Sequence, residues 1–353
     1  MNKRILSAFL AVLLLLFAFS SCNVLNLADS TVTLQETSDA VSQLPETETT
    51  TASSTTREDI EPPEPEEGSY FEAHFIDVGQ ADSILLICDG HAMLIDGGNA
   101  ADATLVRNYL QGQNVTYLDY VVGTHPHEDH IGGLANIMRY IKPGKVYCSA
   151  STADAYGTSA FRNFVYYVNN NLRQKLVVPT PGESFWLGSA KVTVVGPLKQ
   201  DYEDINDTSI VLRVEYGDLA FLFTGDMEGK AELDLVHSGA NLKADVLKVG
   251  HHGSGSSSYY QFLREVKATY GVISCGRDND YGHPHDGPLS RLRDADVKLY
   301  RTDLQGHIVC RTDDGKTLTF TTQMNPDAIT NPTALQGDMS YLPTYLYYEE
   351  KFD

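Results

Sequence analysis

From residue 70 onward, the chain alternates short apolar runs with turn residues such as Gly and Asp. Runs of about four to eight apolar residues are typical of strands buried in a sheet. This pattern predicts strands at 83–88, 91–95, 117–122, 145–148, 244–249 and 270–275, and hairpins over 184–195 and 209–224. Apolar residues at helical spacing predict helices at 101–111, 131–141 and 158–175, and another that begins at 231. Strands with intervening helices predict a layered α/β fold.

The first residues of the chain have the pattern of an export signal. Lys3 and Arg4 precede an apolar run from Ile5 to Phe19, which is short for a membrane span and typical of a signal peptide. The small residues before Cys22 resemble the lipobox of bacterial lipoproteins. We therefore predict a lipoprotein signal peptide over 1–22 and a lipid anchor at Cys22, with ordinary secretion or an uncleaved anchor as alternatives. Each of them places the rest of the chain outside the cytoplasmic membrane.

Composition changes sharply after the signal segment. Residues 23–69 are rich in Ser, Thr and Pro and carry eleven acidic residues against Arg57 alone, which predicts a disordered, charge-extended tether. One hydrolase domain over 70–322 and a Tyr-rich tail over 323–353 complete the predicted organisation. The formal net charge of −21 argues against tight non-specific binding of polyanions, although bound cations would offset it locally.

The remaining cysteines fall mostly within predicted strands and have no CxxC spacing. Buried thiols are the first interpretation and a disulfide is the alternative. The four residues are Cys88, Cys148, Cys275 and Cys310.

A dense group of potential metal ligands lies between the predicted strand 117–122 and the helix that follows it. Residues 124–133 read Thr-His-Pro-His-Glu-Asp-His-Ile-Gly-Gly, so six positions hold His125, His127, Asp129 and His130. Imidazole and carboxylate donors together suit zinc, manganese or iron better than calcium or magnesium. Because rigid elements hold both ends of the loop, the pattern predicts a transition-metal site.

Further candidate ligands follow other predicted strands. Asp226 ends the second hairpin, and the pair His251-His252 follows the strand 244–249. His283 and His285 follow the strand 270–275. If these strand ends meet at one edge of the fold, their side chains can complete the site.

These motifs together resemble the metallo-β-lactamase superfamily, whose HxHxDH signature stands here as His125-Pro126-His127-Glu128-Asp129-His130. The resemblance implies a four-layer αββα sandwich with a dinuclear site at one edge. It places His125 and His127 on the first metal, places Asp129 and His130 on the second, and makes Asp226 the bridging ligand.

The resemblance leaves two positions open. It implies His251 as the last ligand of the second metal, with His252 as the alternative. The family's third histidine on the first metal has no counterpart, and Asn206-Asp207 stands near that place as a possible metal or substrate ligand. An oxygen-rich first site favours manganese as an alternative to zinc, so two divalent metal ions, zinc or manganese, are predicted.

Finer motifs resemble the extracellular metallo-β-lactamase-like domain of ComEC proteins, the bacterial DNA-uptake channels. The motifs are residues 75–82, 206–209, 247–254 and 281–285. This resemblance implies a metal-dependent phosphodiesterase, above all a nuclease, with nucleic acid or another phosphodiester as its substrate. A water between two cations would lose a proton near neutral pH and attack phosphorus. Asp129 would orient that water, while His283 and His285 would donate to the leaving alkoxide or hold a phosphate oxygen.

Two other functions remain open at the level of sequence. One is hydrolysis of a small extracellular phosphoester, such as a phosphocholine ester. The other is a tethered binding or accessory protein with a catalytically weak site. β-Lactamase activity is disfavoured by the missing histidine.

Overall fold

The structure, a computed structural model, describes residues 68–150, 152 and 155–332. The predicted signal peptide, the lipidation site Cys22, almost all of the tether and most of the tail lie outside the described residues. Within the described part, no helix is both long and apolar enough to cross a membrane.

Two seven-stranded mixed sheets form the centre of the fold. In the first sheet the order is β14-β13-β1-β2-β3-β4-β5. Its strands are β1 (Phe71–Phe75), β2 (Ile84–Cys88), β3 (His91–Ile95), β4 (Tyr117–Gly123), β5 (Lys142–Cys148), β13 (Ile308–Thr312) and β14 (Thr319–Thr322). Strands β3, β4 and β5 are parallel to one another.

The second sheet has the order β12-β11-β10-β9-β8-β7-β6. Its strands are β6 (Ser184–Leu187), β7 (Ala190–Gly196), β8 (Val211–Tyr216), β9 (Leu219–Phe223), β10 (Val246–Lys248), β11 (Tyr270–Ile273) and β12 (Lys298–Arg301). Strands β9 to β12 are parallel, whereas β8 and β9 form the predicted hairpin with Tyr216 paired to Leu219.

Helices cover the outer face of each sheet. They are α1 (Ala103–Gly112), α2 (Glu128–Ile131), α3 (Leu134–Ile137), α4 (Ser159–Tyr166), α5 (Gly229–Ser238), α6 (Tyr260–Val266), α7 (Asp286–Asp294) and α8 (Thr302–Gln305). A π-helical stretch, Tyr167–Leu172, extends α4, so the predicted helix over 158–175 is confirmed in outline.

Three apolar clusters hold the layers together. One lies between the two sheets and includes Phe75 and Phe223. The second packs helices such as α1 and α4 on the first sheet, with Phe161 and Phe164 fully buried. The third packs α5, α6 and α7 on the second sheet. This arrangement confirms the predicted four-layer αββα sandwich. The four cysteines in the described residues are free and buried, which agrees with the first interpretation of them.

The predicted single helix over 131–141 is wrong, because α2 ends at Ile131 and the short helix α3 covers only Leu134–Ile137. The carbonyl of Asp129 accepts a hydrogen bond from Asp82 N–H, and the carbonyl of His130 accepts one from Gly97 N–H. Gly133 N–H then donates to Gly98 O rather than to a helical carbonyl. These long-range bonds interrupt the helix and fasten the histidine-rich loop to the turns beside β2 and β3.

Gly133 permits this close backbone approach. An added Cβ at Gly133 would overlap the carbonyl oxygen of Gly97, which is backbone and cannot rotate away. We expect Gly133→Ala to lower the free energy of unfolding by about 2–3 kcal/mol, as forced overpacking does. Urea titration followed by circular dichroism measures it.

The matched control is Gly112→Ala at the end of α1, where an added Cβ meets nothing within 4 Å. That change should be neutral or stabilise by up to about 1 kcal/mol, because alanine is the better helix former. Equal effects of the two substitutions would contradict the role given to Gly133.

Candidate metal centre

The ends of several parallel strands bring the candidate ligands together. The loop after β4 carries His125 to His130, the turn after β9 carries Asp226, and the turn after β10 carries His251 and His252. Asp226 and His252 follow neighbouring parallel strands, so they lie at one edge of the second sheet. The loop after β4 meets them from the first sheet, which brings together residues about 120 positions apart in sequence.

Four of these side chains form a compact group. One donor atom each from Asp129, His130, Asp226 and His252 lies within 4.8 Å of the others. His130 Nε2 is 3.1 Å from Asp226 Oδ2, and His252 Nε2 is 3.4 Å from Asp129 Oδ2 and 3.5 Å from Asp226 Oδ2. Two imidazoles and two carboxylates at these separations form a donor set suited to zinc or manganese.

The hydrogen bonds of the two histidines leave the correct nitrogen free for a metal. His130 Nδ1–H donates to Asp96 Oδ2 at 2.8 Å, and His252 Nδ1–H donates to the Ser274 carbonyl at 2.9 Å. In the neutral ring each Nε2 therefore carries a lone pair, and it is buried without a hydrogen-bond partner, as is Oδ1 of Asp226. Buried polar atoms without partners are costly, and a bound cation satisfies all three. The residues thus fit the predicted metal.

The electrostatics of the group agree with a site for cations. Although burial alone would lower the pKa of His130, the carboxylates of Asp226, Asp96 and Asp129 raise it well above its usual value. Burial raises the pKa of Asp226, but His130 and His252 together lower it well below its usual value. A cation bound at this position would replace the protons that the carboxylates favour on the histidine rings, so metal binding would release protons here.

The histidines predicted for the first metal lie beside this group. His125 Nε2 is 3.9 Å from Asp226 Oδ2 and 3.0 Å from His127 Nδ1. Burial and the neighbouring His130 lower the pKa of His125 well below its usual value, so its ring is neutral and able to coordinate. The structure thus brings His125 and His127 to the edge of the compact group, where His125 approaches Asp226.

Comparison with known proteins supports the same conclusion. The family model described as the metallo-beta-lactamase superfamily matches residues 76–277, which include every side chain of this group. The chain belongs to the metallo-beta-lactamase superfamily.

Two curated proteins and one solved structure are similar to this chain. ComE operon protein 3 of Bacillus subtilis is 27% identical over 262 residues, covering 68% of this chain and 33% of its own length. Competence protein ComA of Neisseria gonorrhoeae is 34% identical over 232 residues, covering 65% of this chain and 30% of its own length. This chain therefore spans about a third of the length of these relatives. The solved metallo-beta-lactamase fold protein YhfI of Bacillus subtilis is 13% identical, with a TM-score of 0.47 over 69% of this chain and 100% of its own.

The superfamily's last histidine ligand can be assigned here from geometry. His251 and His252 both have positive φ angles, 46° and 52°, and their rings lie 6.1 Å apart, centroid to centroid, with 64° between their planes. His251 Nδ1 lies 2.8 Å from Glu228 Oε1, its Nε2 is 3.8 Å from Asp226 Oδ2, and its side chain is 23% exposed. His252 is buried and belongs to the compact group. The geometry therefore favours His252, the alternative, over the predicted His251.

Asn206 and Asp207, which stand near the place of the superfamily's missing histidine, have different surroundings. Asp207 Oδ1 accepts hydrogen bonds from the backbone N–H groups of Glu228 and Ala231, and so caps the start of α5. Asn206 Nδ2 donates to Glu228 Oε1 at 3.2 Å, and its Oδ1 is buried without a partner. Asp207 is thus engaged by a helix, whereas Asn206 keeps a free oxygen near the edge of the site.

The two histidines of the 281–285 motif differ from each other. His285 Nδ1 accepts from Gly255 N–H at 2.8 Å, and its Nε2–H donates to the Tyr281 carbonyl at 3.1 Å. Both ring nitrogens are therefore occupied, which makes His285 a brace for the loop rather than the predicted donor. The ring of His283 lies 5.6 Å from that of His251 and 6.3 Å from that of His252, centroid to centroid. Burial and the neighbouring histidines lower its pKa to about 4, so it is neutral at pH 7.

A buried ion pair behind His252 is not evident from the sequence. Lys248 is fully buried, and its Nζ lies 2.8 Å from Asp82 Oδ2. The other oxygen of Asp82 is 3.4 Å from His252 Nδ1. Burial raises the pKa of Asp82, but Lys248 and His252 together lower it to about 2. A carboxylate and an ammonium group thus support the ring of His252 from behind.

The assignment of the last ligand can be tested by metal content. We expect His252→Ala to lose about one bound zinc ion per chain, because it removes a donor of a four-donor site. His251→Ala should keep its zinc and bind it no more than roughly tenfold more weakly, since that ring lies at the edge. Elemental analysis after dialysis at fixed free zinc measures both.

The two variants are each other's control, since both replace one histidine of the same turn. Loss of zinc in His251→Ala with retention in His252→Ala would restore the assignment of His251.

Proposed function

We propose that the protein is a metal-dependent phosphodiesterase, and specifically a nuclease. The observation that carries this proposal is the set of buried, unpartnered atoms, His130 Nε2, His252 Nε2 and Asp226 Oδ1, at the edge of the sandwich. Metal-dependent hydrolysis is the general chemistry of the superfamily, and two divalent cations there would supply an activated water and neutralise charge on the substrate.

The residues of this chain perform the remaining tasks. Asp96 and the Ser274 carbonyl hold the rings of His130 and His252 in the ligand orientation. Asp129 lies on the open side of the group, with 32% of its side chain exposed, and its carboxylate can accept a hydrogen bond from an incoming water and so orient it. His283 remains neutral at the mouth of the site, where its ring can donate a hydrogen bond without repelling cations.

The choice of phosphodiesters rests on the sequence motifs and on the relatives. The names competence protein ComA and, for a Haemophilus influenzae relative with 27% identity, Recombination protein 2 both refer to handling of DNA. The superfamily's third histidine on the first metal is missing here, which separates the site from those of β-lactamases. Both observations favour a phosphodiester over a lactam.

Hydrolysis of a small phosphoester is the second candidate, because the same residues can act on it. The high negative charge of the chain favours this candidate to a small degree, since it opposes long-range attraction of polyanions. A binding protein with a weak site is the third, and the complete group of four donors argues against it.

A substrate panel tests the proposed activity. We expect zinc- or manganese-loaded protein to degrade single- or double-stranded DNA, and Asp226→Asn to lower the rate by about a thousandfold or more, because the cations contribute several kcal/mol. Asp218→Asn, which changes an exposed aspartate in the β8–β9 turn, is the matched control and should retain activity.

Two outcomes would change the interpretation. Cleavage limited to small phosphodiester reporters would favour the phosphoester hydrolase. If the folded protein bound neither zinc nor manganese, both enzyme functions would be ruled out.

We further propose that the enzyme works outside the cytoplasmic membrane, attached through a lipid at Cys22. Supporting this are the apolar segment Ile5–Phe19, the small residues before Cys22 and the acidic segment that follows. Cys22→Ala should release the protein into the medium, because a lipidated cysteine is the anchor. Fractionation and immunoblotting measure the release, and unchanged membrane retention would contradict the anchor.

A further inference from the structure

The side chain of Gln80 links the turn before β2 to the loop after β11. Its Oε1 accepts a hydrogen bond from Gly276 N–H at 3.0 Å, and its Nε2 lies 3.2 Å from His283 Nδ1. A backbone N–H can only donate, so the amide cannot be turned the other way without placing two donors face to face. The amide nitrogen of Gln80 therefore points at His283.

This contact determines where the His283 proton lies. An amide N–H₂ donates and cannot accept, so Nδ1 must offer its lone pair and the neutral ring carries its proton on Nε2. His130 and His252 are in the opposite state, since their Nδ1–H groups donate to Asp96 and to the Ser274 carbonyl. The ligand histidines thus present lone pairs to the site, whereas His283 presents a donor.

The position of His283 suits a donor to the substrate. Its side chain is partly exposed, and no group in the described part of the chain accepts a hydrogen bond from its Nε2. Asn279 holds the loop, because its Nδ2 donates to the carbonyls of Gly276 and His283 and its Oδ1 accepts from His283 N–H. The ring is therefore held at both its backbone and its Nδ1.

We propose that Gln80 is a positioning residue that holds His283 as a neutral Nε2–H donor to an anionic oxygen of the phosphodiester. The inference rests on the proposed function for the identity of the substrate, but the proton position does not depend on it. His283 belongs to the substrate side of the centre and is not a third ligand.

Nitrogen NMR reads the proton position directly. In ¹⁵N-labelled, zinc-loaded protein, we expect His283 to show a protonated Nε2 and an unprotonated Nδ1, with His283→Gln used to assign its signals. In Gln80→Glu, one carboxylate oxygen can still accept the hydrogen bond from Gly276 N–H. The other oxygen can also only accept, so a hydrogen bond to His283 requires a proton on its Nδ1. We expect the two signals to exchange character in that variant, with zinc content unchanged.

Kinetics test the consequence for hydrolysis. Gln80→Glu and His283→Ala should each lower kcat/KM for the phosphodiester by roughly ten- to hundredfold, the worth of one hydrogen bond to a charged group. His283→Gln places an amide N–H near the former Nε2 and should restore part of the rate. In the His283→Gln background, Gln80→Glu should add little, because its effect passes through the lost imidazole.

The outcomes separate the two proposals. A proton on Nδ1 of His283 in the parent protein, or an unchanged state in Gln80→Glu, would overturn the role of Gln80 whatever the substrate. If the spectra behave as expected and no phosphodiester is cleaved, the proton position stands and the proposed function fails. If Gln80→Glu lowered kcat/KM equally in the parent protein and in the His283→Gln background, Gln80 would act only on the fold. That result would also overturn the inference.

Discussion

The ion pair between Lys248 and Asp82 joins the two halves of the sandwich at the point on which the metal centre depends. Lys248 ends β10 in the second sheet, whereas Asp82 precedes β2 in the first, and both are buried. An unpaired charge in such a place costs several kcal/mol, so each sheet stabilises the correct position of the other. Because Asp82 also approaches Nδ1 of His252, the contact between the sheets and the orientation of a ligand are coupled.

The same region fastens the histidine loop through its backbone. The backbone N–H groups of Asp82 and Gly97 donate to the carbonyls of Asp129 and His130. In a longer helix these carbonyls would have accepted hydrogen bonds from the helix itself. The loop therefore depends on turns at the ends of β1 and β3, whose backbone groups hold its ligands in place. Such preorganisation matters because a site with mobile ligands would have to order them on binding.

Much of this organisation is predictable from sequence, and the exceptions have physical causes. The HxHxDH motif and Asp226 are evident because local order places them at strand ends. Asp207 looks like a ligand in sequence, but its partner, the start of α5, begins 22 positions later, so its capping role depends on tertiary contact. His251 and His252 are adjacent residues of the same type, so the sequence pattern cannot separate them, and only the turn decides which ring enters the site. The roles of Gln80 and Lys248 are long-range contacts that no spacing rule predicts.

The buried cysteines have a consequence for which cations the centre favours. Burial raises the pKa of Cys148 and of Cys275 to about 12, so both remain thiols at neutral pH. Zinc binds the thiolate and not the thiol, and Cys275 is adjacent to Ser274, whose carbonyl orients His252. Among the described residues, no cysteine belongs to the compact group of donors, which offers only nitrogen and oxygen atoms. A donor set without sulfur disfavours soft cations such as Cu(I), which prefer thiolate ligands.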